Sequence, residues 1–183
     1  MKISALIIAK EHSSRLENKN FRDFKGKPMF VWNLEKCLKI FDHVYVSSDS
    51  EFILSKSQQL GAHIIKRPKE LVGNVPNIPV YVHALSYMHD NPDVVFAVKA
   101  DSPTIDELLI KSAKEIMQLP GVSELMTCHK DHKIHGSIWA LKREKLLSYG
   151  NPYEFKPDIL MIDKSTDIHT IEDLKKAESE LGE

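Results

Sequence analysis

The sequence predicts an α/β protein of three layers, a mostly parallel central sheet flanked by helices on both faces. Three observations carry that reading. Ala5-Leu6-Ile7-Ile8-Ala9, Val44-Tyr45-Val46 and Val94-Val95-Phe96-Ala97-Val98 are short apolar runs of the kind expected for strands buried on both faces. Between them lie stretches whose apolar residues recur at helical spacing, and this alternation argues for parallel strands with crossover helices. Each run also ends in polar residues, at the carboxyl end of its strand, where open α/β sheets bind ligands.

Taken in order, the first strand turns abruptly into Lys10-Glu11-His12-Ser13-Ser14-Arg15 and continues through Asn18-Lys19-Asn20 to Gly26-Lys27-Pro28. Four basic residues (Lys10, Arg15, Lys19, Lys27) with hydroxyls suit a polyphosphate; composition alone equally allows a solvated mixed-charge loop. Phe30, Val31, Leu34, Leu38 and Phe41 mark the first crossover helix. The second strand ends in Ser47-Ser48-Asp49, the next helix covers 50–60, and Gly61 stops it at a C′ position. A third strand over 62–65 leads to Arg67-Pro68-Lys69-Glu70-Leu71. Residues 73–79 are rich in turn formers and read either as a plain connector or as a mobile substrate loop. On the helix expected over 80–89, His83 reads as a packing histidine in preference to a ligand.

The strand over 93–98 runs into Asp101-Ser102-Pro103. Asp101 stands where a functional carboxylate would, and the competing role of helix N-cap is better served by 103–106. An amphipathic helix over 105–119 follows, closed by Pro120-Gly121. His129, His132 and His135 invite a transition-metal reading only if a loop gathers them; the alternative is a solvated hairpin tip. A last strand over 158–163 precedes a terminal helix that Asp173 caps or starts.

At 183 residues the chain has room for a proper core and is read as one domain over 1–183. A net charge of −1 with 28% charged residues gives no electrostatic case for nucleic acid or an anionic membrane as partner. Cys37 and Cys128 form neither a disulfide framework nor a zinc pattern, and the short N-terminal apolar run is neither a signal peptide nor a spanning helix. These features lead us to expect a cytoplasmic protein. GxGxxG and GxxxxGK[ST] do not follow the first strand, which argues against a dinucleotide-dependent enzyme or a P-loop NTPase.

The opening stretch, with Ala9, Ser13, Arg15, Lys19, Asn20 and Gly26-Lys27-Pro28, resembles the cytidylyltransferases that activate sugars, especially the CMP-sialic acid (acylneuraminate) synthetases. The strand ending in Asp49, the Arg67-Pro68 element, Asp101-Ser102-Pro103 and the closing Asp167-Ile168-His169 continue the likeness. The resemblance implies a Rossmann-like nucleotide-diphospho-sugar transferase fold and transfer of CMP from CTP to a sugar acid. It implies catalytic roles for Lys19, Arg15 and Asp101, and nucleotide contacts from Ala9, Lys10, Ser13, Arg15, Asn20, Lys27, Asp49 and Arg67. Mg²⁺ would sit on Asp101, Asp167 and His169, since side chains two apart on extended backbone point the same way. Lys10 replaces the family's arginine, Glu11-His12 its usual glycine pair, Glu17 its proline and His169 its second aspartate. The altered phosphate loop keeps open a degenerate nucleotide- or sugar-binding protein on the same fold. The arm near 122–140, which serves dimerisation in the family, is short here, and a homodimer stays open.

Overall fold

Strict alternation along β1 (Ile3–Ile8) sets up the core: Ile3, Ala5 and Ile7 face one side of a seven-stranded sheet and Leu6 faces the other. The computed structural model describes residues 1–13 and 15–181. After β1 come a small antiparallel ribbon, β2 (Asp23–Phe24) and β3 (Lys27–Pro28), then α1 (Met29–Ile40), β4 (Val44–Ser48), α2 (Glu51–Gln59) and β5 (His63–Lys66). The chain continues through α3 (Asn77–Tyr87), β6 (Val94–Lys99), α4 (Glu107–Ile116) and β7 (Glu124–Cys128). It finishes with β8 (Ile134–Lys142), α5 (Arg143–Leu147), β9 (Ile159–Ile162) and α6 (Ile171–Glu180).

The sheet order is β5-β4-β1-β6-β8-β7-β9. All pairs are parallel except those of β8, which runs antiparallel to both β6 and β7. Residues of α1, α2 and α4 cover one face, with Phe30, Leu34, Ile53 and Ile110 at its centre, while α3 and α5 cover the other with Tyr81, Leu85 and Leu146. A smaller cluster of Leu16, Phe24, Met29, Leu174 and Ala177 docks α6 against the ribbon and the start of α1. The three-layer reading is correct, and the antiparallel β8 is what tempers its parallel character.

Element ends follow local chemistry. Gly61, at φ +100°, closes α2: its amide donates to Gln58 O and that of Ala62 to Ser57 O, a Schellman pair. Asp106, not Asp101, caps α4 by accepting from the Leu108 amide at 2.8 Å. Helix α3 begins at Asn77, three residues before the sequence suggests, because Pro79 is tolerated in a first turn where its missing N–H has no partner to lose. The histidine run forms a hairpin between β7 and β8. His132 is exposed at its tip, while His129 and His135 stack at 4.2 Å, so the three do not converge. His83 packs against Tyr87 at 4.9 Å, although its Nδ1 is buried without a hydrogen bond among the described residues.

Thr170 and Asp173 form a reciprocal capping box on α6, the Asp173 carboxylate accepting from the His169 and Thr170 amides at 3.0 and 2.8 Å. Burial pushes the Asp173 carboxyl up, but those amides outweigh it and hold the group below its ordinary range. Its capping contribution is therefore present above the unfolded carboxyl pKa and fades as pH falls through the folded value. Asp173→Ala is expected to cost about 1 kcal/mol in urea unfolding at neutral pH, with the difference from wild type shrinking in acid.

Candidate active site

The chain runs from β1 outward to β4 and β5, then returns to β6 on the other side of β1. At such a reversal the two loops leaving the strands part, and the crevice between their carboxyl ends is the usual ligand position in open sheets. A cavity of about 150 Å³ lies there, walled by Lys10, Lys19, Asn20 and Arg67 on one side and by Lys99 and Asp101 on the other. Gly73 and Val75 from the turn-rich segment and Asn77 at the start of α3 also line it, so that segment borders the cavity.

The loop after β1 is braced from within. Asn18 takes a left-handed conformation at φ 56° and starts the turn over Lys19–Phe21. Asn20 Nδ2 donates to Lys10 O at 2.8 Å, tying the two ends of the loop together. Asp49 Oδ1 accepts the Glu11 amide at 2.9 Å, and the Glu11 side chain accepts from Ser50 Oγ at 3.4 Å. The carboxylate that replaces a family glycine is thus turned toward the start of α2, where helix amides favour negative charge.

Lys19 is only 6% exposed, and its ammonium pairs with Asp101 while donating to Ile168 O at 3.0 Å. Burial would raise the Asp101 carboxyl, but the Lys19 and Lys99 ammonium groups more than offset it and hold Asp101 below the ordinary carboxylate range. Lys99 also pairs with Asp167 at 3.0 Å, and His169 Nε2 lies 3.1 Å from the same Asp167 oxygen. Ligand atoms of Asp101, Asp167 and His169 all lie within 4.8 Å of one another. Asp167 Oδ1 and His169 Nδ1 are buried without hydrogen-bond partners among the described residues. Two carboxylates, an imidazole and two unspent buried lone-pair sites form a donor set that fits a divalent cation.

Sequence reasoning missed the groups that aim Asp101. Asn33, fully buried in α1, donates through Nδ2 to both Lys99 O and Ser102 O at 2.8 Å. Lys36, one turn on, donates to Pro103 O and Ile105 O at 2.6 and 2.8 Å; burial lowers its pKa to about 8, leaving it charged at neutral pH. An asparagine on the apolar face of a predicted helix was the available signal. Asn33→Leu is expected to orphan two carbonyls, costing about 2 kcal/mol, and to lower turnover more than substrate affinity, as steady-state rates and urea unfolding would register.

The remaining predicted residues fall in three places. Ala9 is buried, with its amide bonded to Ser47 O at 3.1 Å; Arg67 is buried and donates to Ser47 O at 2.7 Å while lining the cavity. Ser13 is half-buried and Arg15 exposed on the loop, outside the cavity wall, on either side of Ser14, which lies outside the described residues. Lys27 is a correction. The β2–β3 ribbon carries it away from the cavity, to an ion pair with Glu35 and a position 3.9 Å over the Trp32 ring.

Beyond Lys99 the crevice opens into a second cleft of about 530 Å³, lined by Lys133, Lys164 and Lys176 together with His129, His135 and His169. Among the described residues no helix is long and apolar enough to cross a membrane.

Comparison with known proteins agrees with this fold. In solved structures the fold matches a CMP:2-keto-3-deoxy-manno-octonic acid synthetase complexed with CTP, at TM-score 0.80 and 18% identity, covering 99% of this chain and 98% of that one. It also matches Rv0371c of Mycobacterium tuberculosis H37Rv in complex with manganese, at TM-score 0.72 and 12% identity, covering 97% and 98%. In sequence the chain is 30% identical over 122 residues to a pseudaminic acid cytidylyltransferase of Campylobacter jejuni, a match spanning 63% of this chain and 53% of that protein. It is 26% identical over 132 residues to N-acylneuraminate cytidylyltransferase A of Danio rerio, spanning 71% and 31%. These matches thus span between about a third and about half of those curated relatives. The family model described as cytidylyltransferase matches residues 4–177, and the chain therefore belongs to the cytidylyltransferase family.

Proposed function

We propose that this chain, as one nucleotidyltransferase-like domain with a shortened β7–β8 arm, transfers CMP from CTP to a sugar acid and releases pyrophosphate. One observation carries the reading: the Lys19–Asp101 pair, held at the strand reversal beside Lys10, Arg67 and Lys99. In this reaction a hydroxyl oxygen of the acceptor bonds to the α-phosphorus as the bond to pyrophosphate breaks, and the hydroxyl proton is lost. Charge builds on phosphoryl oxygens, so fixed cations in a dry, shaped site supply most of what the protein must provide. Lys19, Lys10 and Arg67 would face that charge in the cavity; Arg15 and Ser13, on the loop outside the cavity wall, would meet the outer phosphates only if the loop folds over the bound nucleotide. Asp49 positions the loop through the Glu11 amide.

A divalent cation, Mg²⁺ or Mn²⁺, would be held by Asp101, Asp167 and His169 and would polarise the α-phosphate when bound. The manganese held by the Rv0371c protein supports this choice of ion. The cleft beyond Lys99, with its lysines and histidines, suits an acceptor bearing a carboxylate. A homodimer belongs to the proposal because, among the described residues, β9 leaves one edge unpaired, with Leu160 and Ile162 at 42% and 49% exposure.

The degenerate-binder reading draws on one specific observation: the Glu11 amide is already bonded to Asp49, leaving one N–H fewer to cradle phosphate. A pyrophosphate-release assay with CTP, UTP, GTP, ATP and dTTP against a panel of sugar acids separates the two. Release with CTP and an acid supports catalysis. CTP binding in a thermal-shift assay without release under any acid favours the binder.

A further inference from the structure

At the opposite end of the sheet from the cavity, three histidines come together that no sequence motif links. His43 lies two residues before Tyr45, so both point to the α3 face of the sheet. Parallel pairing sets His63 of β5 in register beside Tyr45. The chain leaving α3 at Tyr87 then lays His89 over the same spot, with ring centroids 4.4 Å from His63 and 5.7 Å from His43. Ligand atoms of all three lie within 4.8 Å of one another.

Two further observations mark this as more than ring packing. The Tyr45 hydroxyl has a single proton and donates it to Asp90 Oδ1 at 2.7 Å, so its contact with His89 Nδ1 at 3.1 Å must receive a proton from the imidazole. Asp90 is fixed in turn by Ser4 Oγ at 2.5 Å. That carboxylate–tyrosine–histidine chain sets the His89 tautomer and leaves Nε2 as its lone-pair nitrogen, the kind of hydrogen bonding that orients metal-ligating imidazoles. His43 Nδ1 is buried with no hydrogen-bond partner among the described residues, a polar nitrogen that packing leaves unspent.

We propose that His43, His63 and His89 form a site for a borderline divalent cation of the Zn²⁺ class, separate from the nucleotide cavity. Neutral imidazoles suit Zn²⁺ over Mg²⁺, and three of them leave a fourth, tetrahedral position for solvent. Zn–N bonds of about 2.0–2.1 Å need the nitrogens about 3.4 Å apart, so the ion would draw together ligand atoms that now lie within 4.8 Å of one another. The ion would tie together the starts of β4 and β5 and the segment leading into β6, roughly 15–20 Å, a strand length, from the cavity. It acts on stability, not on the reaction.

The test titrates Zn²⁺ into the full chain against a chromophoric chelator, while side-chain ¹⁵N spectra follow each imidazole. The expected result is one ion per chain at this site, with the His43, His63 and His89 signals shifting together and the thermal midpoint rising. Co²⁺ in its place should give the visible bands of tetrahedral nitrogen ligation. His63→Gln with His89→Gln, both at exposed positions, should lose that ion and the thermal gain while keeping the basal activity. Shifts confined to His169, or to His129 and His135, would overturn the proposal, as would zinc binding that the double variant leaves unchanged. Because the spectra are read on the wild-type chain, the result does not depend on the variant folding.

Discussion

Lys19→Met is expected to reduce pyrophosphate release by at least ~10²–10³-fold, the loss that follows removal of one well-aimed group stabilising developing charge. The same substitution should cost about 3 kcal/mol in urea unfolding. It strips the partner from a nearly buried carboxylate, and breaking such a pair costs far more than the intact pair contributes. Lys99 and His169, which also draw the Asp101 carboxyl down, keep the penalty from being larger. Asp101→Asn should destabilise less, since Lys19 keeps its bond to Ile168 O. The double variant should be more stable than Lys19→Met alone, because neither charge is then stranded, and a double-mutant cycle measures that coupling. If Lys19→Met unfolds like wild type and turns over CTP normally, the pair is a surface ornament and the proposed centre is misplaced.

Much of this centre was legible because it is written in short, local patterns. The three apolar runs have the length and β-branched content of buried strands, and their order along the chain, with helices between, left a doubly covered sheet as the natural packing. Asp101 stood out because it stands at the carboxyl end of a buried strand, and Lys19 because it belongs to the basic loop that follows another and matches the family's opening pattern. What escaped was whatever depends on long-range packing. Asn33 lies 66 and 69 residues from the carbonyls it holds, so its place on an apolar helix face hinted at a buried polar role but not at the Asp101 loop as its partner. Lys27 looked like a phosphate ligand because it shares a loop with Lys19, yet a two-residue ribbon turns it toward Glu35 and Trp32. The histidine run at 129–135 drew attention by spacing alone. The histidines that do converge sit at 43, 63 and 89, where only strand register and a helix end bring them together.

The phosphate loop shows the same dependence on context. A carboxylate in place of glycine looks repulsive when only neighbours in sequence are counted. In the fold the Glu11 side chain turns to Ser50 and its amide to Asp49, so its charge is kept out of the cavity wall. On the proposed function, the cost that remains is one backbone donor already bonded to Asp49, and it would fall on phosphate binding without closing the cavity.

The second large effect concerns the cation. Asp167→Asn, close to isosteric, should preserve the fold but lower turnover by about 10²–10³-fold, the several kcal/mol that a Lewis acid contributes at a phosphoryl centre. His169→Asp should move activity the other way along a different axis. A third carboxylate replaces the borderline imidazole nitrogen with the hard oxygen that Mg²⁺ prefers, whereas Mn²⁺ accepts either donor. The ratio of kcat/KM for CTP with Mg²⁺ to that with Mn²⁺ is therefore expected to rise by about tenfold or more. The metal-free variant should also be less stable, since the new charge joins Asp101 and Asp167 with only Lys19 and Lys99 to balance three carboxylates. Activity that survives Asp167→Asn, together with a metal ratio that His169→Asp leaves unchanged, would remove these residues from cation binding and leave Asp101 as an ion-pair partner of Lys19 and nothing more.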